Sequence, residues 1–123
     1  MDYLGIGLGG LAGALARFVV SQAVARAAPA FALGTLVVNI SGTFLLGLLS
    51  GLGEAPGWAT PSVRAALMVG FLGAYTTFST WSVDTLRLLE EGAVGPALFN
   101  VLASVGLGLG AAWLGLLLGR AMS

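Results

Sequence analysis

The amino-acid sequence predicts an all-α membrane protein in which a single domain, residues 1–123, contains four transmembrane helices. Of the 123 residues, 58% are hydrophobic and only 8% are charged, whereas a soluble domain carries about 25% charged residues. The chain contains four apolar stretches, and a membrane-spanning helix needs roughly 20 such residues. No stretch alternates polar and apolar residues with a period of two, which argues against a transmembrane β-barrel.

The four predicted spans cover residues 3–24, 31–52, 62–89 and 94–118. The first span ends before Arg26 and Pro29, and the second ends before Glu54 and Pro56. The third ends at two acidic residues and the fourth ends just before Arg120. The connections are only a few residues long, so neighbouring helices should run antiparallel.

Composition also narrows the classes of function. The chain has no Cys and no His, so thiolate metal sites are excluded and the usual acid–base group at neutral pH is missing. No nucleophile can be matched with a base, and we therefore expect that the chain is not an enzyme. Its formal net charge is zero, whereas nucleic-acid binding calls for a basic patch, so we expect no nucleic-acid partner.

Basic residues near the span ends bear on orientation in the membrane. Arg64 and Arg120 fall on the side of the termini, and Arg26 and Arg87 fall on the opposite side. The positive-inside rule needs an excess of basic residues on one side, and here there is almost none, since assigning Arg17 to either side changes the difference by only one. We therefore predict that the chain inserts in both orientations and forms an antiparallel homodimer. The alternative is that weaker cues set a single orientation.

Residues spaced by four form faces of small residues on the predicted helices. Such faces are formed by Gly5, Gly9 and Gly13 on the first span, and by Gly106 with Gly110 and Gly115 with Gly119 on the fourth. Faces of this kind let helices approach closely in lipid, and we expect them to be packing surfaces.

Polar side chains lie on similar faces. Asn39 lies inside the second span with Thr35 one turn before it, and Asn100 lies near the start of the fourth span with Ser104 one turn after it. An unpaired amide in lipid is costly, so each Asn must face protein or a water-filled cavity. Two interpretations stay open: hydrogen bonds that join helices, or donors that line a path for a small anion.

Arg17 lies about two-thirds of the way along the first span. At that depth its side chain must snorkel, pair or face water. It either attracts anions at a vestibule or forms a structural pair, including hydrogen bonds to the carbonyls of a broken helix.

The third span contains a hydroxyl-rich segment, GAYTTFSTWS, at residues 73–82. A helix broken here, after Gly70 and Gly73, would free backbone groups, and irregular backbone at membrane depth is tolerated only within protein or beside a cavity. Broken helices offer carbonyls to cations and N–H groups to anions. The rings of Phe78 and Trp81 present either electropositive edges to an anion or ordinary packing surfaces.

Together these segments resemble a known family, the small dual-topology fluoride channels called Fluc or CrcB. The similar segments are Gly9-Gly10 with Gly13-Ala14 and Arg17-Phe18, residues 34–39 followed by Gly42 and Phe44, residues 70–73 followed by residues 76–80, and Asn100 with Ser104. Each piece alone is weak, but their combination in one four-span chain is specific. The chain departs from the family pattern at Trp81, where a second Phe is usual.

The resemblance implies an antiparallel homodimer with two fluoride pathways, a break in the third helix, and a structural sodium ion at the dimer centre. By motif position, the backbone carbonyls of Gly73 and Thr76 would hold that sodium ion. The residues expected to line or approach the fluoride pathway are Asn39, Phe78, Trp81, Thr35, Ser104 and, at the vestibule, Arg17.

The resemblance also implies a passive channel that exports cytosolic fluoride, as a multi-pass protein of a prokaryotic plasma (inner) membrane. Fluoride is small and strongly hydrated, so its entry requires close donors that replace water. Two rival functions can be compared with the sequence. A small proton-coupled multidrug exporter needs an acidic residue inside an early span, but Asp2 and Glu54 lie at span ends. A non-conducting structural subunit would explain the Gly faces and leave the hydroxyl cluster unexplained.

Overall fold

The computed structural model describes residues 2–29, 32–53 and 55–123, and within these ranges the chain folds into helices without a β-strand. The helices are α1 (Tyr3–Ala27), α2 (Leu33–Leu52), α3 (residues 61–75), α4 (Phe78–Glu90) and α5 (Val94–Met122). Three of them, α1, α2 and α5, are long and apolar enough to cross a membrane. Phe31, where the second span was predicted to start, and Glu54 lie outside the described residues.

A side chain caps the N-terminus of each of the helices α1, α3 and α4. Asp2 accepts a hydrogen bond from the backbone N–H of Gly5 at 2.8 Å before α1. Thr60 caps α3, where Pro61 occupies the first turn, and Thr77 caps α4. Caps of this kind satisfy N–H groups that have no partner inside the helix, so these three boundaries are encoded locally.

Two helices continue past their predicted ends. α1 runs to Ala27 rather than residue 24, and α5 runs to Met122 rather than residue 118. In both, an arginine lies in the last turn, Arg26 in α1 and Arg120 in α5. A cation at a helix C-terminus interacts favourably with the helix dipole, so a charge that ends an apolar stretch does not end the helix.

The third predicted span is interrupted at Thr76 and Thr77, in the region where the family resemblance implies a break. Both residues have extended backbone, with ψ angles of 155° and 121°. The segment Ala65–Leu72 before the break is π-helical, which is rare and often found at functional sites. The hydroxyl-rich segment is therefore not one continuous helix.

Glycines allow α2 and α5 to pack backbone against backbone. A Cβ atom on Gly115 would collide with the carbonyl oxygen of Phe44, and one on Gly119 would collide with that of Leu48. The predicted packing role of the Gly115–Gly119 face is confirmed. Around Gly106 and Gly110, by contrast, no heavy atom of the described chain lies within 4 Å of a built Cβ. Their predicted packing therefore does not occur among the described residues, because this face of α5 points away from α2.

A second close contact joins α1 to α3. A Cβ atom on Gly9 would collide with the carbonyl oxygen of Ala66, and one on Gly13 with that of Phe71. The small core lies beside this contact and contains Val38, Leu72 and Tyr75. The end of α3 is thus held between α1 and α2, which fixes where the break begins.

Candidate functional site

The break between α3 and α4 is held by the side chain of Asn39 on α2. Asn39 Oδ1 accepts a hydrogen bond from the Thr77 backbone N–H at 2.7 Å. Asn39 Nδ2 donates to the Thr77 backbone carbonyl at 2.9 Å. One amide therefore pairs with both backbone groups of an extended residue, much as a neighbouring β-strand would. This satisfies backbone that cannot be left unpaired at membrane depth.

A second link from α2 holds the other side of the break. The Tyr75 hydroxyl lies 3.0 Å from Ser41 Oγ, and Ser41 Oγ donates to the carbonyl of Val38. A Ser hydroxyl has only one hydrogen, so Tyr75 is the donor to Ser41. The ends of both half-helices are thereby fixed to the same part of α2.

The break also removes the helical donors of backbone carbonyls at the end of α3, among them those of Gly73 and Thr76. In a continuous α-helix the N–H of Thr77 would bond the carbonyl of Gly73, and the N–H of Thr80 would bond that of Thr76. Instead the Thr77 N–H donates to Asn39 Oδ1, and the Thr80 N–H donates to Thr77 Oγ1 at 3.2 Å. The two carbonyls that the resemblance assigned to sodium are therefore among those that lose their helical donors at the end of α3.

Backbone oxygens are also candidate ligands for a metal ion in this chain. Within the described residues, no cluster of three His, Cys, Asp or Glu side chains could hold one. Gly73 is exposed, and no heavy atom lies nearer to its built Cβ than 3.8 Å. A hard monovalent cation fits such carbonyl oxygens, which carry partial negative charge and lie at the C-terminal end of α3.

A groove of about 310 Å³ lies against the break. Its lining residues are Asn39, Thr43, Thr76, Thr77, Phe78, Trp81, Ser104 and Val105. Four of the six residues predicted for the pathway are therefore brought together from α2, α4 and α5. The rings of Phe78 and Trp81 lie side by side, with centroids 5.3 Å apart and planes tilted by 39°. The Phe78 side chain is 76% exposed, so the groove is open along its aromatic edge.

The groove presents hydrogen-bond donors and no carboxylate. The Asn39 amide nitrogen carries two hydrogens, and only one is used by Thr77. Ser104 Oγ is buried and has no hydrogen-bond partner among the described residues, so its hydrogen is free to donate. The N-terminus of α4 begins here at Phe78, and the free N–H groups of a helix start favour an anion. The chemistry of the lining therefore suits a small anion.

Thr35 and Arg17, the other two predicted pathway residues, lie outside this groove. Thr35 is buried, and its Oγ1 donates to Asp84 Oδ2 at 3.2 Å. Its hydrogen is thus directed to a carboxylate on α4 and not into the groove. Arg17 is half-buried on α1. The pathway roles of Thr35 and Arg17 stay predictions.

Trp81 contributes its ring to the groove, while its indole N–H faces α5. Nε1 donates to the backbone carbonyl of Asn100 at 3.3 Å. In this arrangement Trp81 contributes its ring to the groove and not an extra N–H donor. The Asn100 side chain is fully buried and donates through Nδ2 to Thr85 Oγ1 at 2.8 Å, so it joins helices.

Sequence reasoning missed Thr77 as a residue of the site. Its backbone pairs with Asn39 and its hydroxyl caps α4. A Thr immediately before an apolar and aromatic helical segment is a recognisable N-cap signal. The pairing with Asn39, 38 residues earlier, leaves no local signal in the sequence.

Comparison with known proteins gives concordant matches over nearly the whole chain. The family model described as "CrcB-like protein, Camphor Resistance (CrcB)" matches residues 4–116. The chain is 49% identical over 121 residues to "Fluoride-specific ion channel FluC 1" of Symbiobacterium thermophilum, covering 97% of this chain and 98% of that protein. It is 46% identical over 121 residues to "Fluoride-specific ion channel FluC" of Solibacter usitatus, covering 98% of this chain and 99% of that protein. It is also 48% identical over 124 residues to the protein of that name from Methylococcus capsulatus, covering 100% of this chain and 54% of that longer protein.

Proposed function

Because the chain belongs to the CrcB family, we propose that it is a passive channel through which fluoride leaves the cytosol. The relatives carry the names of fluoride-specific ion channels, which agrees with the prediction that the chain is not an enzyme. With several apolar helices of spanning length, it is an integral, multi-pass membrane protein.

One observation in the structure carries the proposal: the groove at the helix break presents donors and ring edges without a fixed cation in its lining. Dehydrating fluoride requires donors that come close to the ion. The free Asn39 N–H, the Ser104 hydroxyl and the edges of Phe78 and Trp81 supply them. A conducting site must also release its ion, and neutral donors bind less tightly than a buried arginine would.

In this proposal the anion passes from water near Arg17 to Asn39 and Phe78, and then past Trp81 and Ser104. Arg17 raises the local concentration of anions at the mouth without holding them inside. Thr35 takes part as a polar residue beyond the groove, where its hydroxyl can donate to an anion once it turns from Asp84.

The proposed channel is an antiparallel homodimer. A single chain leaves the aromatic edge of the groove uncovered, since Phe78 is 76% exposed. Without a second chain, only lipid would cover this edge. A second copy of the chain would enclose the ion with hydrogen-bond donors, which lipid tails lack. The balance of arginines, two on each side, supports insertion in both orientations.

A sodium ion bound at the dimer centre by the carbonyls of Gly73 and Thr76 completes the proposal. The support is that the helical donors of both carbonyls are diverted to side chains. Purifying the dimer with N-methylglucamine in place of sodium should lower its stability, by about 2.7 kcal/mol if sodium was present at roughly 100 times its Kd. A dimer equally stable in both buffers would exclude a sodium ion with a structural role.

The proposed function is tested by anion efflux from liposomes that contain the purified chain. Fluoride efflux should be fast and chloride efflux should be close to that of protein-free liposomes. Equal rates for the two anions, or no fluoride efflux from a correctly folded dimer, would refute a fluoride-selective channel. The experiment also separates the proposal from a non-conducting subunit.

A further inference from the structure

Three hydrogen bonds, two between α4 and α5 and one within α4, form a closed ring behind Trp81. The indole Nε1 of Trp81 donates to the backbone carbonyl of Asn100. The Asn100 side chain donates through Nδ2 to Thr85 Oγ1 at 2.8 Å. Thr85 Oγ1 donates in turn to the backbone carbonyl of Trp81 at 2.8 Å. The ring of hydrogen bonds therefore starts and ends at Trp81, whose side chain lines the groove.

The direction of these bonds is fixed by the chemistry of the groups. A Thr hydroxyl has one hydrogen, and in Thr85 that hydrogen goes to a carbonyl, which can only accept. Thr85 Oγ1 must then accept from Asn100, so the amide cannot be flipped. Asn100 is 0% exposed, and its Oδ1 has no partner among the described residues. The bond to Thr85 is therefore what orients the Asn100 amide.

The Thr85 hydroxyl makes more bonds than an ordinary hydroxyl that only bonds back to its own helix. Ser82 shows the ordinary case: its Oγ donates to the carbonyl of Phe78 four residues earlier, at 2.9 Å. Thr85 makes the same local bond but also accepts from α5. It thereby joins the backbone of Trp81 to the helix that receives the indole N–H.

We propose that Thr85 and Asn100 are positioning residues that fix the orientation of the Trp81 ring at the groove. The ring of hydrogen bonds holds Trp81 through both its backbone carbonyl and its indole N–H. A phenylalanine in this place could not close the ring, because it has no N–H donor. The effect on ion flux rests on the proposed function, whereas the orientation of the ring does not.

The test uses a chain in which Trp81 is the single tryptophan, made with Trp58→Phe and Trp113→Phe. Trp58 Nε1 has no hydrogen-bond partner among the described residues, and Trp113 is 65% exposed, so neither change removes a described bond of an indole N–H. In this background Thr85→Val should raise acrylamide quenching of Trp81 fluorescence about twofold, because both bonds of the Thr85 hydroxyl are lost and the indole keeps only its own bond to the Asn100 carbonyl. Thr85→Ser should restore the original quenching.

The matched control is Ser82→Ala, which removes a back-bonding hydroxyl that has no bond to α5, and it should leave the quenching unchanged. Asn100→Leu should act like Thr85→Val, and this second variant decides the matter if the first does not fold. Unchanged quenching in a folded Thr85→Val or Asn100→Leu dimer overturns the proposal.

Fluoride efflux gives an independent readout. Thr85→Val should slow efflux about tenfold, since small misplacements at a constrained site are costly, and should add no further loss in a Trp81→Phe background. An equal loss in both backgrounds means that Thr85 only supports the fold, which also overturns the proposal. If the parent chain conducts no fluoride but quenching changes as expected, the proposed function fails and the positioning role stands.

Discussion

The side chain of Asn39 combines a structural role with a proposed role in conduction. Its amide pairs with both the N–H and the carbonyl of Thr77, which leaves one N–H for the groove. From sequence, helix joining and anion binding were alternative interpretations of this residue. The structure makes them compatible, because an amide has more hydrogen-bonding groups than the backbone of one residue can use.

Replacing Asn39 by Asp should damage both roles. A carboxylate can still accept from the Thr77 N–H, but it cannot donate to the Thr77 carbonyl, and a second oxygen then faces that carbonyl. We expect a loss of about 1–3 kcal/mol in stability, and loss of fluoride efflux because the groove gains a negative charge. Thermal unfolding of the dimer and liposome efflux measure the two effects. Normal efflux in the variant would confine Asn39 to the structural role.

Replacing Phe78 by Ile should impair conduction far more than folding. The side chain is 76% exposed within the chain, so little core packing is lost, but Ile has no electropositive ring edge to offer an anion. We expect a folded dimer with fluoride efflux reduced at least about tenfold, which a loss of roughly 1.4 kcal/mol in barrier height would produce.

The matched control for Phe78 is Phe18→Ile on α1. Phe18 is also largely exposed, at 63%, and it lies outside the groove, so its replacement should leave efflux near normal. Equal losses from both variants, or near-normal efflux after Phe78→Ile, would remove Phe78 from the proposed pathway.

At the scale of helices, sequence predicted the elements that depend on local signals. Apolar length indicated the long helices α1, α2 and α5, and the spacing of Gly115 and Gly119 indicated a packing face, which contacts α2. The helices α1 and α5 extend beyond the predicted spans, because hydropathy follows the apolar stretch and not the hydrogen-bonded helix. Partners distant in sequence could not be predicted, such as Thr35 with Asp84, which are 49 residues apart.

The contact between α1 and α3 should tolerate no side chain at Gly13. A Cβ atom there would collide with the carbonyl oxygen of Phe71, whose carbonyl carbon would lie only 2.9 Å away. Gly13→Ala should therefore cost about 1–3 kcal/mol of stability, since the backbone cannot yield as a flexible side chain would. The measurement is thermal unfolding of the detergent-solubilised protein.

Gly7→Ala on the same helix is the matched control. No heavy atom lies within 4 Å of the Cβ that would be built there, and Ala is a better helix former than Gly by about 1 kcal/mol. The control should be neutral or stabilising. If Gly13→Ala were equally harmless, the close approach of α1 to the π-helical part of α3 would not contribute to stability.

At the scale of the whole molecule, the open groove and the balance of charges both favour pairing with an oppositely oriented copy of the chain. One chain supplies donors on one side of the groove and leaves the ring of Phe78 uncovered. Fluoride in such a half-site would meet lipid, where a small anion is costly to place. The proposed antiparallel dimer would give the groove a second wall, and a chain that inserts in both orientations would supply its own partner.

Fixing the orientation of the chain should therefore abolish its activity. Ala121→Lys with Ser123→Lys adds two positive charges on the side of the termini, and Ala28→Lys with Ala93→Lys adds two on the opposite side, so each pair gives the bias that the positive-inside rule requires. Each variant alone should insert one way and lose fluoride efflux, because antiparallel dimers cannot form, while coexpression of the two should restore it. The control, Ala121→Lys with Ala93→Lys, keeps the balance and should conduct. Full efflux from either biased variant alone, with one orientation verified by accessibility of a terminal tag, would show that the conducting unit does not need an oppositely oriented copy.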